Sequence, residues 1–274
     1  MLQQVLARLE SEMDCPPEER TAVINQHLLS TLDYRHLQDA DREPIDYSDP
    51  GVRFAYIFKY VTAHAKLVSD IMGRSDVLQT TLRAASSVTC LGGGPGSELL
   101  GLSEAAAALR RPDSLHAMIF DQEPAWLSDW ALVVQAFHLP VSYMGQALDV
   151  CDPRTWRSLR TPLSRAELIT SVFFLSEVFA QRKRASAFLD QLGDLMAPGA
   201  VFFYLDNAGQ AFYHWAEEIF RAHGFTELER GQNLHWAMPL AERVKDLGEY
   251  STRFAHTPTL KRQVAWHVLR KEPA

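Results

Sequence analysis

From residue 86 onward, short apolar runs alternate with longer amphipathic stretches. The runs are SVTCL (87–91), LHAMIF (115–120), VSYM (141–144), AELITSVFFL (166–175) and AVFFYL (200–205). They are rich in β-branched and aromatic residues, and their hydrophobicity is largely continuous. That pattern predicts strands buried on both faces. Between them, 97–109, 124–137, 183–196 and 209–223 read as helices. Strand alternating with helix predicts an α/β fold, a mostly parallel sheet with helices on both faces. The tail has a different rhythm. FTELER (225–230) and QVAWHVL (263–269) alternate, which predicts an antiparallel pair ending in an antiparallel last strand. An insertion over 231–262 separates them, with a short helix expected at 239–247.

Residues 1–85 read as helical throughout. Pro16-Pro17 before Glu18 and Glu19 marks a helix start, with acids where the helix dipole favours them. After the Asp49-Pro50-Gly51 turn, Phe54, Ile57, Phe58, Val61, Ala65, Val68 and Met72 fall at spacings of three and four, one apolar helical face. The expected organisation is an N-terminal helical cap or lid over 1–85 and an α/β domain over 86–274.

Composition then narrows the function classes. The chain has 274 residues, of which 47% are hydrophobic and 22% charged, enough for a sizeable core and against overall disorder. The net charge of −7 argues against a general polyanion binder. Local basic clusters stand at Arg110-Arg111, at Arg154, Arg157, Arg160 and Arg165, and at Arg182-Lys183-Arg184. Each reads as a solvated face or as a stripe that touches RNA. Cys15, Cys90 and Cys151 form no CxxC pair, so neither a disulfide framework nor a structural metal site is expected. The first residues carry acids and no continuous apolar region, and no apolar run is long enough to span a membrane. The expected location is the cytoplasm, with the nucleus as the alternative.

The strongest local signal is Val88-Thr-Cys-Leu-Gly92-Gly93-Gly94-Pro95-Gly96, a predicted strand running into a glycine turn and then a helix. Glycine serves where the backbone turns sharply or a ligand lies against it. The carboxyl edge of the first strand is where open α/β sheets bind ligands. The dinucleotide pattern GxGxxG is not met, because Ser97 and Leu99 stand where a third glycine would fall. The spacing is instead G-x-G-x-G, at Gly92, Gly94 and Gly96.

This resembles motif I of the class I, Rossmann-like S-adenosylmethionine-dependent methyltransferases, and the resemblance spans about 86–230. Asp121, at the end of the second predicted strand, is similar to the acid that holds the ribose hydroxyls in that family, with Gln122 beside it. A carboxylate suits that role because it accepts two hydrogen bonds. The stretch Gly145-Gln-Ala-Leu148-Asp149-Val-Cys-Asp152 is similar to the family's adenine-binding segment, with Asp149 the first choice for the adenine amino group and Asp152 the second. Either could instead cap a helix before Pro153. The resemblance also implies that the end of the fourth strand, Phe173 through Glu177, faces the methyl donor and acceptor. Two departures stand out. Cys90 replaces the acid that opens motif I, a contact that Glu98 or a water could supply, and no Asn/Asp-Pro-Pro-Tyr/Phe tetrapeptide follows the fourth strand.

The implied cofactor is S-adenosylmethionine, with S-adenosylhomocysteine as product. The implied contacts are Gly92, Gly93, Gly94, Gly96, Asp121, Gln122, Leu148, Asp149 and Phe173, joined by Tyr47, Arg53 and Tyr56 from a lid segment at 46–56. Arg53 is expected to pair with the cofactor carboxylate through its planar fork; the alternative is an exposed arginine on an ordinary helix. Glu177 is the candidate general base, ahead of His64, His214 and His235. Trp126, Trp130, Phe212, Tyr213, Trp215 and Trp236 are either core or pocket walls. The expected activity is methyl transfer to an oxygen or nitrogen of a small molecule. The alternatives are an RNA methyltransferase using Arg154, Arg157, Arg182, Lys183 and Arg184, and a non-catalytic cofactor-binding scaffold.

Overall fold

The apolar runs assemble into one sheet. In the computed structural model, which describes residues 2–31, 45–111, 114–239, 245–259 and 261–273, seven strands lie in the order β3-β2-β1-β4-β5-β7-β6. They are β1 (Ser87–Leu91), β2 (Leu115–Asp121), β3 (Val141–Ala147), β4 (Leu168–Val172), β5 (Val201–Asn207), β6 (Phe225–Ala237) and β7 (Lys261–Lys271). The first five are parallel, and β7 runs antiparallel between β5 and β6. The continuous runs are buried as expected: every residue of β4, and all of β5 except Asn207, is sealed from solvent.

The N-terminal part supplies α1 (Leu2–Glu12), α2 (Pro17–Gln26), α3 (Pro50–Tyr56), α4 (Thr62–Arg74) and α5 (Asp76–Ala84). Further along are α6 (Ser97–Ala108), α7 (Ala125–Phe137), α8 (Arg160–Arg165), α9 (Leu175–Val178), α10 (Arg182–Leu195), α11 (Gln210–Ala222) and the short α12 (Tyr250–Arg253). One apolar layer packs α4, α5 and α6 on one face of the sheet. The other packs α8, α10 and α11 on the opposite face. A third gathers α1 to α3 against Trp126 and Val133 of α7 and against Leu247, Tyr250 and Phe254.

Two boundaries differ from the sequence expectation. The stripe from Phe54 to Met72 is buried as predicted, but its helix is interrupted by a π turn at Ile57–Val61. A wider turn of this kind re-phases the side chains that follow it. The cap is also not a separate layer over all of 1–85. A Cβ on Gly101 of α6 would lie 2.4 Å from the carbonyl oxygen of Ala65, so α4 sits directly on α6 and shares the sheet's core.

The predicted hairpin is present, yet its insertion is shorter than 231–262. β6 continues to Ala237 through irregularities between Glu227 and Glu229 and between Gly231 and Leu234. Such bulges let a strand change its twist without ending. The helix expected over 239–247 falls on residues 240–244, outside the described residues, while 245–249 form a turn. All three cysteines are free thiols. Among the described residues no helix is long and apolar enough to cross a membrane.

Candidate functional site

The glycine turn after β1 is built from backbone. The amides of Gly92 and Gly93 donate to the carbonyl of Phe120 at 2.8 and 3.1 Å, tying the turn to the end of β2. The Gly94 amide donates to Asp121 Oδ2 at 2.8 Å. Three of the glycines exist for packing. A Cβ on Gly92 would strike Phe174, one on Gly93 would strike Ile119, and one on Gly96 would strike Trp130. Gly94 is different. With φ at +44°, its missing Cβ meets no protein atom closer than 4.0 Å. That space belongs to a cavity of about 410 Å³.

The cavity opens at the carboxyl edge of β1, β2 and β4. Gly92, Gly94, Asp121, Gln122, Leu148 and Phe173 border it. Tyr47, Tyr56 and Trp126 stand on its other side, with ring centroids 5.4 to 5.7 Å apart. Glu177, at the start of α9, also lines the cavity.

Four expected residues do not reach it. Gly93 and Gly96 turn toward Ile119 and Trp130 instead. Asp149 is spent on the local turn, its Oδ1 accepting from the Cys151 amide at 2.7 Å, while its neighbours Leu148 and Val150 face the cavity. Arg53 is fully committed elsewhere. Its Nε donates to Asp129 at 2.9 Å, its Nη1 donates to the carbonyls of Tyr47 and Ser48, and its Nη2 lies 3.6 Å from Glu12. Its side chain is 6% exposed. Arg53 therefore fixes the turn that presents Tyr47 and does not itself line the cavity. The second-choice acid, Asp152, caps the short 3-10 helix at Pro153–Ser158, accepting from the Arg154 amide, and pairs with the Arg154 guanidinium.

Electrostatics follow burial. Burial pushes the Asp121 carboxyl up to about 6, against the pull of the Glu123 and Gly94 amides that donate to it. It is charged at neutral pH and keeps lone pairs for a ligand's hydroxyls. Beneath the turn, Glu98 of α6 lies against the Cys90 thiol and the Thr170 hydroxyl. Burial pushes Glu98 up to about 7. A carboxyl thus occupies the space next to the motif I position, but it arrives from the helix and does not border the cavity.

Asp46 and Ser176 lay within the segments expected at the cofactor and acceptor but were not singled out. Sequence reasoning passed over Gln181, which lines the cavity, and Asn207 and Arg262, which line a small recess beside it. Their only signal was position at the carboxyl ends of β4 and β5, or, for Arg262, the start of the returning strand. Phe173 carries a further mark of function in its φ of +55°, which an aromatic residue rarely adopts and which turns the chain at the cavity wall. Of the other candidates, His64 is buried in the recess, whereas His214 and His235 are exposed. Trp130, Phe212 and Tyr213 are core, Trp215 packs beside them, and Trp236 donates to Asp70.

Sheet order, antiparallel β7, the glycine turn after β1 and the acid ending β2 together make the Rossmann-like fold of the class I S-adenosylmethionine-dependent methyltransferases. No family model matches the chain. It is 23% identical over 205 residues to the 25S rRNA (uridine(2843)-N(3))-methyltransferase of Saccharomyces cerevisiae, a match covering 60% of this chain and 53% of that protein. The chain thus spans about half the length of the curated relative it matches. Among solved structures it is similar to an S-adenosylmethionine-dependent methyltransferase from Clostridium acetobutylicum, at a TM-score of 0.48 and 9% identity, covering 76% of this chain and 92% of that one. It is also similar to the PH0226 protein of Pyrococcus horikoshii, at a TM-score of 0.49 and 8% identity, covering 79% and 96%.

Proposed function

We propose that this chain is an S-adenosylmethionine-dependent methyltransferase acting on a nitrogen or oxygen of its acceptor. The observation that carries the reading is Gly94, the one residue of the glycine turn whose absent side chain leaves space for a ligand. When bound, the cofactor supplies a methyl group on a positively charged sulfur. This chain would hold its ribose on Asp121 and its adenine among Phe120, Leu148 and Val150. Tyr47, Tyr56 and Trp126 would exclude water from the opposite side, and Glu177 would accept a proton where the acceptor has one to lose.

For the acceptor, a base nitrogen in RNA is the reading with more support. The curated relative is named for a uridine nitrogen in ribosomal RNA. Arg182, Lys183 and Arg184 follow directly on Ala180 and Gln181 at the cavity mouth. The small-molecule reading rests on the enclosing wall of Tyr47, Tyr56 and Trp126.

Calorimetry with S-adenosylhomocysteine and NADH tests the cofactor. Binding of the first and silence toward the second is expected, and the reverse sinks the assignment. Asp121→Ala should weaken the adenosyl ligand by about 1.5–3 kcal/mol, the range for hydrogen bonds to a charged group. Gly94→Val should abolish binding while the protein still folds, at a cost of roughly 1–2 kcal/mol for a side chain in the left-handed region. Normal binding by folded Gly94→Val would reduce the loop to a turn.

A further inference from the structure

From Val264 to Leu269 every residue of β7 is buried, and His267 alone among them is polar. Ala265 and Leu269, on the same side of the strand, belong to the apolar layer under α10 and α11. The imidazole lies between two tyrosine rings, 4.9 Å from the centroid of Tyr204 at 8° and 4.9 Å from that of Tyr213 at 26°. Packing on both faces fixes the ring plane, and with it the direction of Nδ1. That nitrogen lies 3.0 Å from Glu217 Oε1 of α11 and 3.0 Å from Glu227 Oε2 of β6. The three donor atoms lie within 4.8 Å of one another. None of these side chains lines the cavity or the recess beside it.

A hydrogen-bonded ion cluster leaves two features unexplained. Nδ1 carries at most one hydrogen, which can point squarely at only one of the two carboxylate oxygens. Burial holds the imidazole below its ordinary range, against the pull of Glu227 and Glu217, so the ring brings no charge to offset theirs. Arg230 Nε, 3.3 Å from Glu227 Oε1, and His214 Nδ1, 3.8 Å from Glu217 Oε2, meet the outer oxygens and leave the inner ones to share His267. The second feature is Tyr204. It is 0% exposed, and among the described residues its hydroxyl has no hydrogen-bond partner. Burial, and next the charges of Glu217 and Glu227, keep that hydroxyl protonated, so an uncommitted O–H stands beside the same cluster.

We propose that His267, Glu217 and Glu227 bind a divalent transition-metal ion of the zinc class, with a water in the fourth position. One imidazole nitrogen with two carboxylate oxygens is a donor set suited to zinc, whereas calcium and magnesium take oxygen ligands. Ligands about 2.0–2.1 Å from a tetrahedral ion stand roughly 3.3 Å apart, so the 3.0 Å spacings need only small side-chain shifts. The ion replaces the shared hydrogen and gives Nδ1 and both inner oxygens a partner. The water on it gives the Tyr204 hydroxyl one. Glu227, with its side chain 34% exposed, leaves a way in from solvent. No cysteine takes part, so the cysteine spacing that argued against a structural metal carried no sign of this site. The ion joins α11 to β6 and β7, and the proposal does not depend on the methyl-donor reading.

Zinc titrated into the chelator-treated, untagged full chain, followed by calorimetry and thermal unfolding, tests this. One ion per chain and a higher unfolding temperature are expected, with neither from magnesium or calcium at the same concentration. Cobalt in its place should give the intense visible absorption of a tetrahedral ion. Glu217→Gln and Glu227→Gln keep the size of the side chain and an acceptor for Nδ1, and cooperative unfolding without metal reports that they fold. Each should lose the cobalt band and weaken zinc by more than about tenfold, and Tyr204→Phe should weaken zinc about tenfold, as loss of an outer hydrogen bond does. Absence of zinc binding by the wild type would overturn the proposal. So would unchanged zinc binding by the folded glutamine variants, which would move the ion elsewhere, for instance to His223 with Asp190 and Asp194. Unchanged affinity in Tyr204→Phe would overturn the water-bearing fourth position.

Discussion

Glu98 shows how a single residue can be bound to the site without touching ligand. The motif I position holds Cys90, a thiol that burial keeps protonated. The acid absent there is replaced in space by Glu98, which reaches back from the first turn of α6. Its folded-state pKa of about 7 lies above the ordinary carboxylate value because burial penalises the charge. The sign follows from that. Stability from the neutral form is fully present below the unfolded pKa of about 4 and is lost as pH rises through about 7. Asp121, Asp129 and Asp206 are raised to about 6 by burial and act in the same direction over a lower window. Glu98→Gln, which keeps shape and removes the charge, is expected to raise stability at pH 8 by on the order of 3 kcal/mol relative to wild type, and by little at pH 5. Denaturant unfolding at the two values checks it, and an equal effect at both would remove ionisation from the account.

At the scale of elements, α3 is fastened to α7 by a buried ion pair. Arg53 of α3 and Asp129 of α7 face each other with side chains 6% and 2% exposed. The same guanidinium holds the carbonyls of Tyr47 and Ser48, so one residue joins α3, the turn at the cavity and the helix that follows β2. Removing one partner leaves the other charge buried. Arg53→Met is expected to cost about 3–5 kcal/mol of stability. The double variant Arg53→Met with Asp129→Leu should recover much of that loss. Urea unfolding reads both, and a loss below about 1 kcal/mol, typical of a surface pair, would contradict the structural role. The π turn at Ile57–Val61 belongs to the same scale. It separates Tyr56, at the main cavity, from His64, which stacks on Phe173 at 4.0 Å in the recess.

The whole molecule carries a net charge of −7, so any RNA contact must come from a local patch working against that field. Arg182 lies over the Phe179 ring, and Arg184 donates to the Cys151 carbonyl and Gln181, so both hold defined positions beside the mouth. Each phosphate neutralised on a single strand adds about 0.7 to the slope of log K against log salt. Replacing Arg182, Lys183 and Arg184 together by Ala should therefore flatten that slope by up to about 2 for a ribosomal RNA fragment. A wild-type slope near zero would instead favour a small-molecule acceptor.

Much of this architecture was legible in the chain, because burial writes itself into composition. A strand covered on both faces must be continuously apolar, so LITSV and VFFYLDN could be placed without coordinates. A turn that forbids side chains must use glycine, so the cavity edge after β1 was visible too. Asp121 was legible for the same local reason, as an acid ending a buried strand. What remained hidden depends on residues far apart in sequence. Nothing near Arg53 in the chain announces Asp129, 76 positions away, so its charge looked available for a ligand. Nothing near Gly93 and Gly96 announces Ile119 and Trp130, which make them packing glycines, whereas the missing side chain of Gly94 opens on the cavity. Arg262 and His64 stand 198 residues apart and meet because β7 returns beside β5 while α4 packs on α6. Local pattern specifies which residues must be buried or must turn; only the packed chain decides which charges find partners, and so which remain for a ligand.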